Sequence, residues 1–399
     1  MRKLFIMAAA AMIAGSANAQ DIKSILKAGT YAEAQGLIKS AEATLSNADK
    51  AKAYNKLVDL ALEQGKKDED VLDKNMIAAQ MKQSPAPYDT TNLLNAIKSA
   101  YDNALICDKF DQMPNEKGKV KPAFRSKNAG RLQTRRNYLL TIGNDAYNGR
   151  NYSNAAGAFG LFVDTYKSPI FSESKLNGDN LPVIAFYAEL ASYYNNDFKA
   201  ATRYFETAIN DTADIQNAIQ IAAAAYQNMK DDANYRGVLL KAHQKYPNDN
   251  NYFEWLVNSY ADARDTLGLK KFAEQEAQTY PNAAHTYYVQ GLVAEYELNF
   301  AKSVEAYKKA IEADPKYSSA VYNCARATLL YGNSVLNDKS LGANAKQKAM
   351  PIYKESITLY EKVKELYPDR KNLWAYPLYN AYYVIGDTAK AAEYEALTK

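Results

Sequence analysis

Between Gln216 and Pro315, large apolar, small and polar residues return to the same places every 34 residues. With Pro247, Pro281 and Pro315 set at position 32 of successive units, position 4 reads Ile219, Phe253 and Tyr287, and position 8 reads Ala223, Val257 and Gly291. Position 11 gives Tyr226, Tyr260 and Ala294, position 24 gives Leu239, Ala273 and Tyr307, and position 27 gives Ala242, Glu276 and Ala310. Apolar side chains at helical spacing on both halves of the unit predict two amphipathic helices per repeat. Small residues at positions 8 and 27 let the paired helices approach closely. The proline stands where the second helix must stop, since it lacks an N–H and restricts its predecessor.

These residues resemble the tetratricopeptide repeat, and one unit matches it well through Tyr287, Gly291, Tyr307, Ala310 and Pro315. Glu276 and Ser303 depart from it, each standing where the family prefers alanine. The pattern extends upstream through Ala201, Phe205 and Ala208, then Gly143, Ala155 and Phe159. Downstream, Pro368 closes a unit 53 residues after Pro315, one period plus an insertion of 19. The resemblance covers residues 137–399 and implies an all-α, right-handed α-solenoid of stacked helix-turn-helix repeats. A single helix pair cannot cover its own apolar face, so such units stack and build one continuous core.

Outside that array the organisation is looser. Residues 1–19 carry Arg2 and Lys3, an apolar run from Leu4 to Ala14 and the small-residue box Ala17-Asn18-Ala19, the pattern of a signal peptide. The run is shorter than the roughly 20 residues a spanning helix needs, so the expectation is an exported chain, periplasmic or secreted, with peripheral envelope association left open. Residues 20–66 read as degenerate repeat-like helices, and 67–136 as an elaborated helical region with a basic connection. Within it, Thr91–Phe110 predicts a helix with Leu94, Ile97, Tyr101, Leu105 and Ile106 on its apolar side. The insertion, near 332–350, is either a loop or a lengthening of the helix ahead of Pro351. Pro377 predicts a kink or a late start in the last unit's first helix.

Charge adds a segregation. Without Arg2 and Lys3 the chain holds 47 basic and 45 acidic residues, yet Lys117–Arg136 carries eight bases and no acid. Lys127, Arg131 and Arg135, four apart, share one face of a predicted helix. Exposed cations there would meet anionic lipid headgroups, a phosphorylated glycan or an acidic partner, and a solvated face is the simpler outcome. The acids of "KKDEDVLDK", Lys66–Lys74, read as a solvated helix start. Cys107 and Cys324 are separated by several repeats, beyond disulfide reach, and are expected as buried free thiols.

Catalytic patterns are lacking. Walker-type, dinucleotide, zinc and G-x-S-x-G signatures do not occur. His243 and His285, the only histidines, have no ligand at helical spacing, so no metal, cofactor or catalytic residue is expected. The resemblance implies a concave groove lined by first helices, through positions 5 and 9 of each unit. From those positions the candidate groove residues are Asn144, Phe186, Gln220, Glu254, Asn258, Tyr288, Tyr322 and Arg326. Amide and tyrosine side chains suit the backbone of an extended polypeptide, so the expected function is a non-enzymatic scaffold for a protein or peptide. The 33 tyrosines support carbohydrate capture as the alternative. Nucleic acid is excluded by the expected export.

Overall fold

The computed structural model describes residues 21–115, 118–174, 176, 178, 180–210, 215–247 and 249–398; the expected signal peptide lies outside them. Every regular element among these residues is helical, as the period predicts. The chain forms two compact units, one ending at Tyr235 and one spanning Arg236–Lys399.

The first unit holds α1 (21–27), α2 (Tyr31–Ala41), α3 (Asn47–Gln80), α4 (Thr90–Asp111), α5 (Arg125–Asn148), α6 (Tyr152–Thr165), α7 (Leu181–Tyr194), α8 (Phe205–Ala208) and α9 (Ile215–Asn228). The second holds α10 (Asp232–Lys245, from Arg236 on), α11 (Asn250–Asp262), α12 (Thr266–Thr279), α13 (Ala284–Tyr296) and α14 (Phe300–Ala313). It continues with α15 (Ser318–Leu336), α16 (Ala345–Leu366), α17 (Ala375–Ile385) and α18 (Thr388–Ala396).

In two hairpins, the glycine at position 8 faces an aromatic ring. A Cβ on Gly143 would lie 2.4–2.8 Å from Phe159, and one on Gly291 would lie 2.6–2.9 Å from Tyr307. The helices therefore meet at backbone distance, with the ring filling the space between them.

The turn inside the hairpin repeats as faithfully as the core. Arg150, Asn196, Lys230, Arg264, Leu298 and Gly386 all adopt positive φ. Each is followed by an Asx residue: Asn151, Asp197, Asp231, Asp265, Asn299 or Asp387. Every one of these Asx N–H groups donates to the carbonyl five residues back, at 2.8–3.1 Å. Each Asx side chain then accepts the N–H three residues on, at 2.8–3.2 Å. One residue thus ends the first helix with a Schellman-type bond and caps the next.

Several expectations are corrected, and for the insertion and Pro377 one of the two expected outcomes is found. The boundaries at 66/67 and 136/137 fall inside α3 and α5. The acids of Lys66–Lys74 sit mid-helix in α3, not at a start: Asp68 accepts from Asp89 N (2.9 Å) and Asn92 Nδ2 (2.6 Å), and Asp73 accepts from the Tyr138 hydroxyl (2.5 Å). On α4, Leu94, Ile97 and Tyr101 are buried as expected, but Leu105 is half-buried and Ile106 exposed, and the buried stripe continues through Leu93, Ala100, Ala104 and Cys107. The insertion is a helical extension: α15 runs to Leu336 and α16 starts at Ala345, six residues before Pro351. Pro377 is the third residue of α17, a late start.

One hairpin is broken. Where a second helix is expected after Asp197, a short 3-10 turn at Ala200–Thr202 and the single turn of α8 stand instead. Position 8 of that unit is Glu189, a bulky ionisable residue at the point of close helix approach. It is fully buried, and neither carboxylate oxygen has a hydrogen-bond partner.

Candidate functional site

The groove candidates divide by burial. In the first unit Asn144 and Gln220 are exposed, while Phe186 is buried in the core around Ala185 and Tyr204. In the second unit Asn258 is exposed, Glu254, Tyr322 and Arg326 are half-buried, and Tyr288 is buried. Position 9 therefore reaches solvent in every first helix, through Asn144, Leu190 and Ala224 in one unit and Asn258, Leu292 and Arg326 in the other. Position 5 does so only in part.

Two of the second unit's candidates, Arg326 and Tyr288, are held by separate polar contacts. Arg326 Nη2 donates to Glu295 at 3.0 Å, the Tyr307 hydroxyl donates to the same carboxylate at 3.2 Å, and Asn323 donates to the Tyr288 hydroxyl at 2.7 Å. Burial pushes the Glu295 carboxyl above its ordinary range, against the opposing pull of Arg326 and Tyr307. Part of the tyrosine content is structural: Tyr307, Tyr353, Tyr360 and Tyr394 are among the largest fully buried side chains.

The basic segment does not form an open cationic face. Arg131 pairs with Asp59 and donates to Asn55 at 2.8 Å, and Arg135 pairs with Glu69 at 2.9 Å. Arg125 reaches both oxygens of Asp108, at 2.7 and 2.8 Å. The two arginines of the predicted face are spent on α3, and Lys127 alone of that trio is exposed. Cys107 and Cys324 are free and buried, as expected, and burial pushes their thiols up to about 12 and about 11.

A different cluster stands in the second unit. Its elements are set by the turns: Arg236 donates to Asp265 (2.8 Å), the cap of α12, and Thr286 Oγ1 donates to the Tyr280 carbonyl (2.8 Å), tying the start of α13 to the end of α12. That geometry brings Glu276 of α12 against His243 of α10 and His285 of α13. His243 Nε2 lies 3.0 Å from Glu276 Oε2 in hydrogen-bond geometry. His285 Nε2 lies 3.1 Å from the same oxygen yet makes no hydrogen bond, and His243 Nδ1 is likewise buried without a partner. The imidazole centroids are 4.9 Å apart at 87°.

Aromatic rings enclose the three groups. Phe253 sits 5.2 and 5.0 Å from the two imidazoles, and Tyr280 sits 5.7 and 5.3 Å from them. The side chains of His243, Glu276 and His285 are 0%, 5% and 7% exposed. Burial pushes the Glu276 carboxyl up, but the two imidazoles beside it outweigh that effect and hold the group below its ordinary range. The histidines, taken in sequence as isolated, are therefore partners. The signal was Glu276 itself, a carboxylate at a position the repeat reserves for alanine.

The stack of 34-residue hairpins is tetratricopeptide-like in fold. No family model matches the chain, and no curated protein does. Among solved structures it is similar to a TPR repeats protein from Bacteroides fragilis NCTC 9343, at 19% identity and TM-score 0.37, covering 66% of this chain and 98% of that one. It is also similar to the C-terminal part of a TPR repeat-containing protein from Cytophaga hutchinsonii, at 15% identity and TM-score 0.37, covering 64% and 93%. A tetratricopeptide repeat protein from Parabacteroides merdae ATCC 43184 gives 10% identity and TM-score 0.30, covering 66% and 98%.

Proposed function

We propose that the chain is an exported, non-enzymatic scaffold that holds a protein or peptide partner along the first helices of its hairpins. The observation that carries this reading is that, within each of the two units taken by itself, position 9 of successive repeats reaches solvent. Asn144 and Asn258 offer amides that both donate and accept, matching the alternating N–H and C=O groups of an extended backbone.

A peptide array drawn from envelope proteins tests this. The chain is expected to bind a defined set of sequences. Asn144→Arg with Asn258→Arg should weaken that set at least tenfold while leaving the circular-dichroism spectrum unchanged. Binding that survives the double substitution intact would refute the placement. No reproducible peptide or protein partner in any format would refute the scaffold.

A further inference from the structure

We infer that His243, Glu276 and His285 form a binding site for a divalent transition-metal ion of the zinc type. Two imidazole nitrogens and one carboxylate oxygen are a donor set such ions accept. These three ligand atoms all lie within 4.8 Å of one another. A tetrahedral zinc with bonds of about 2.0–2.2 Å would hold its ligand atoms roughly 3.3 Å apart. The two nitrogen–oxygen separations are 3.0 and 3.1 Å and no ligand pair exceeds 4.8 Å, so the ion is admitted once the two imidazole nitrogens close by at most about 1.5 Å.

The hydrogen bonds alone leave this cluster incomplete. Glu276 Oε2 is already served by His243, and the second imidazole aims Nε2 at the same oxygen without bonding to it. A metal ion would bond all three atoms at once and leave its fourth position to a water molecule. The chain has two histidines in all, and both stand here, each from a different repeat than Glu276. The phenyl ring of Phe253 and the ring of Tyr280 supply the apolar wall that strengthens coordination in a dry site. The ion would join α10, α12 and α13, and hence three successive repeats.

Because the groups are buried, the ion enters as the chain folds. The untagged full chain is refolded with zinc or with a chelator, dialysed, and assayed for metal content and thermal midpoint. One tightly held zinc per chain and a raised midpoint are expected. His285→Gln and Glu276→Gln should retain none and lose the zinc-dependent rise. Equal, substoichiometric zinc in the wild type and both variants, or a midpoint indifferent to zinc, would overturn the site. Should neither variant fold, refolding the wild type with cobalt(II) decides. Intense visible bands of a tetrahedral ion support the site, and the weak spectrum of aqueous cobalt(II) overturns it.

Discussion

Replacing Glu189 by glutamine should stabilise the first unit, and by an amount set by pH. The carboxyl is buried at position 8 of its hairpin, has no hydrogen-bond partner, and is raised from 4.5 to about 9 by burial alone, no charged neighbour contributing. At pH 7 it is protonated in the folded chain and ionised in the unfolded one. The folded state therefore binds more protons, and stability falls as pH rises from 4.5 to about 9. Each pH unit in that window costs about 1.4 kcal/mol. The penalty is absent below 4.5, is about 3 kcal/mol at pH 7, and levels off near 6 kcal/mol once the folded-state carboxyl ionises.

Glutamine has the same shape and, like the protonated acid, one donor group and one acceptor group to leave unpaired, so at pH 4 the two proteins should match. Both tryptophans, Trp255 and Trp374, lie in the second unit. Urea unfolding is therefore followed by far-ultraviolet circular dichroism at pH 4, 6, 7 and 8, with the wild type and Glu189→Gln in parallel. A stability difference that widens with pH supports the reasoning. Curves that stay parallel across the range, or a variant less stable at pH 7, would refute it.

Further substitutions address the hairpins and their braces. Gly291→Ala pushes a methyl group into the ring of the buried Tyr307 and should cost about 1–3 kcal/mol, read by tryptophan fluorescence in urea; an unmoved midpoint would show that the helices are not in backbone contact. Leu298 is 75% exposed at φ 58°, so Leu298→Asn should gain roughly 0.5–1 kcal/mol by relieving left-handed strain, and a loss would contradict the turn geometry. Arg135→Gln and Glu69→Gln should show a coupling of about 1–3 kcal/mol in a double-mutant cycle, given that both side chains are more than four-fifths buried; simple additivity would mean the α3–α5 pairing is idle.

The repeat was legible because it depends on short-range physics: a stop at each proline, a small residue under an aromatic ring, apolar spacing along each helix. The Asx turn was equally regular, with Lys230, Arg264 and Leu298 one period apart, but its three different αL residues hide it. What escaped the sequence depends on stacking across units. Arg131 and Arg135 look like a cationic face until Asp59 and Glu69 are packed opposite, and a charge pattern on one helix cannot report what another helix brings. His243 and His285 look isolated along the chain because a solenoid makes neighbours of residues a repeat apart. Glu189 and Glu276 carried the clearest hint, each a carboxylate at a position the pattern keeps small.

The scaffold reading is tested most directly by photo-crosslinking from two single positions of the second unit. A photoreactive residue replaces either exposed Asn258 on the first helix α11 or exposed Lys309 on the second helix α14. After irradiation in an envelope extract, the account predicts a discrete adduct from position 258 and none from 309. The same adduct from 309 with nothing from 258 would contradict it.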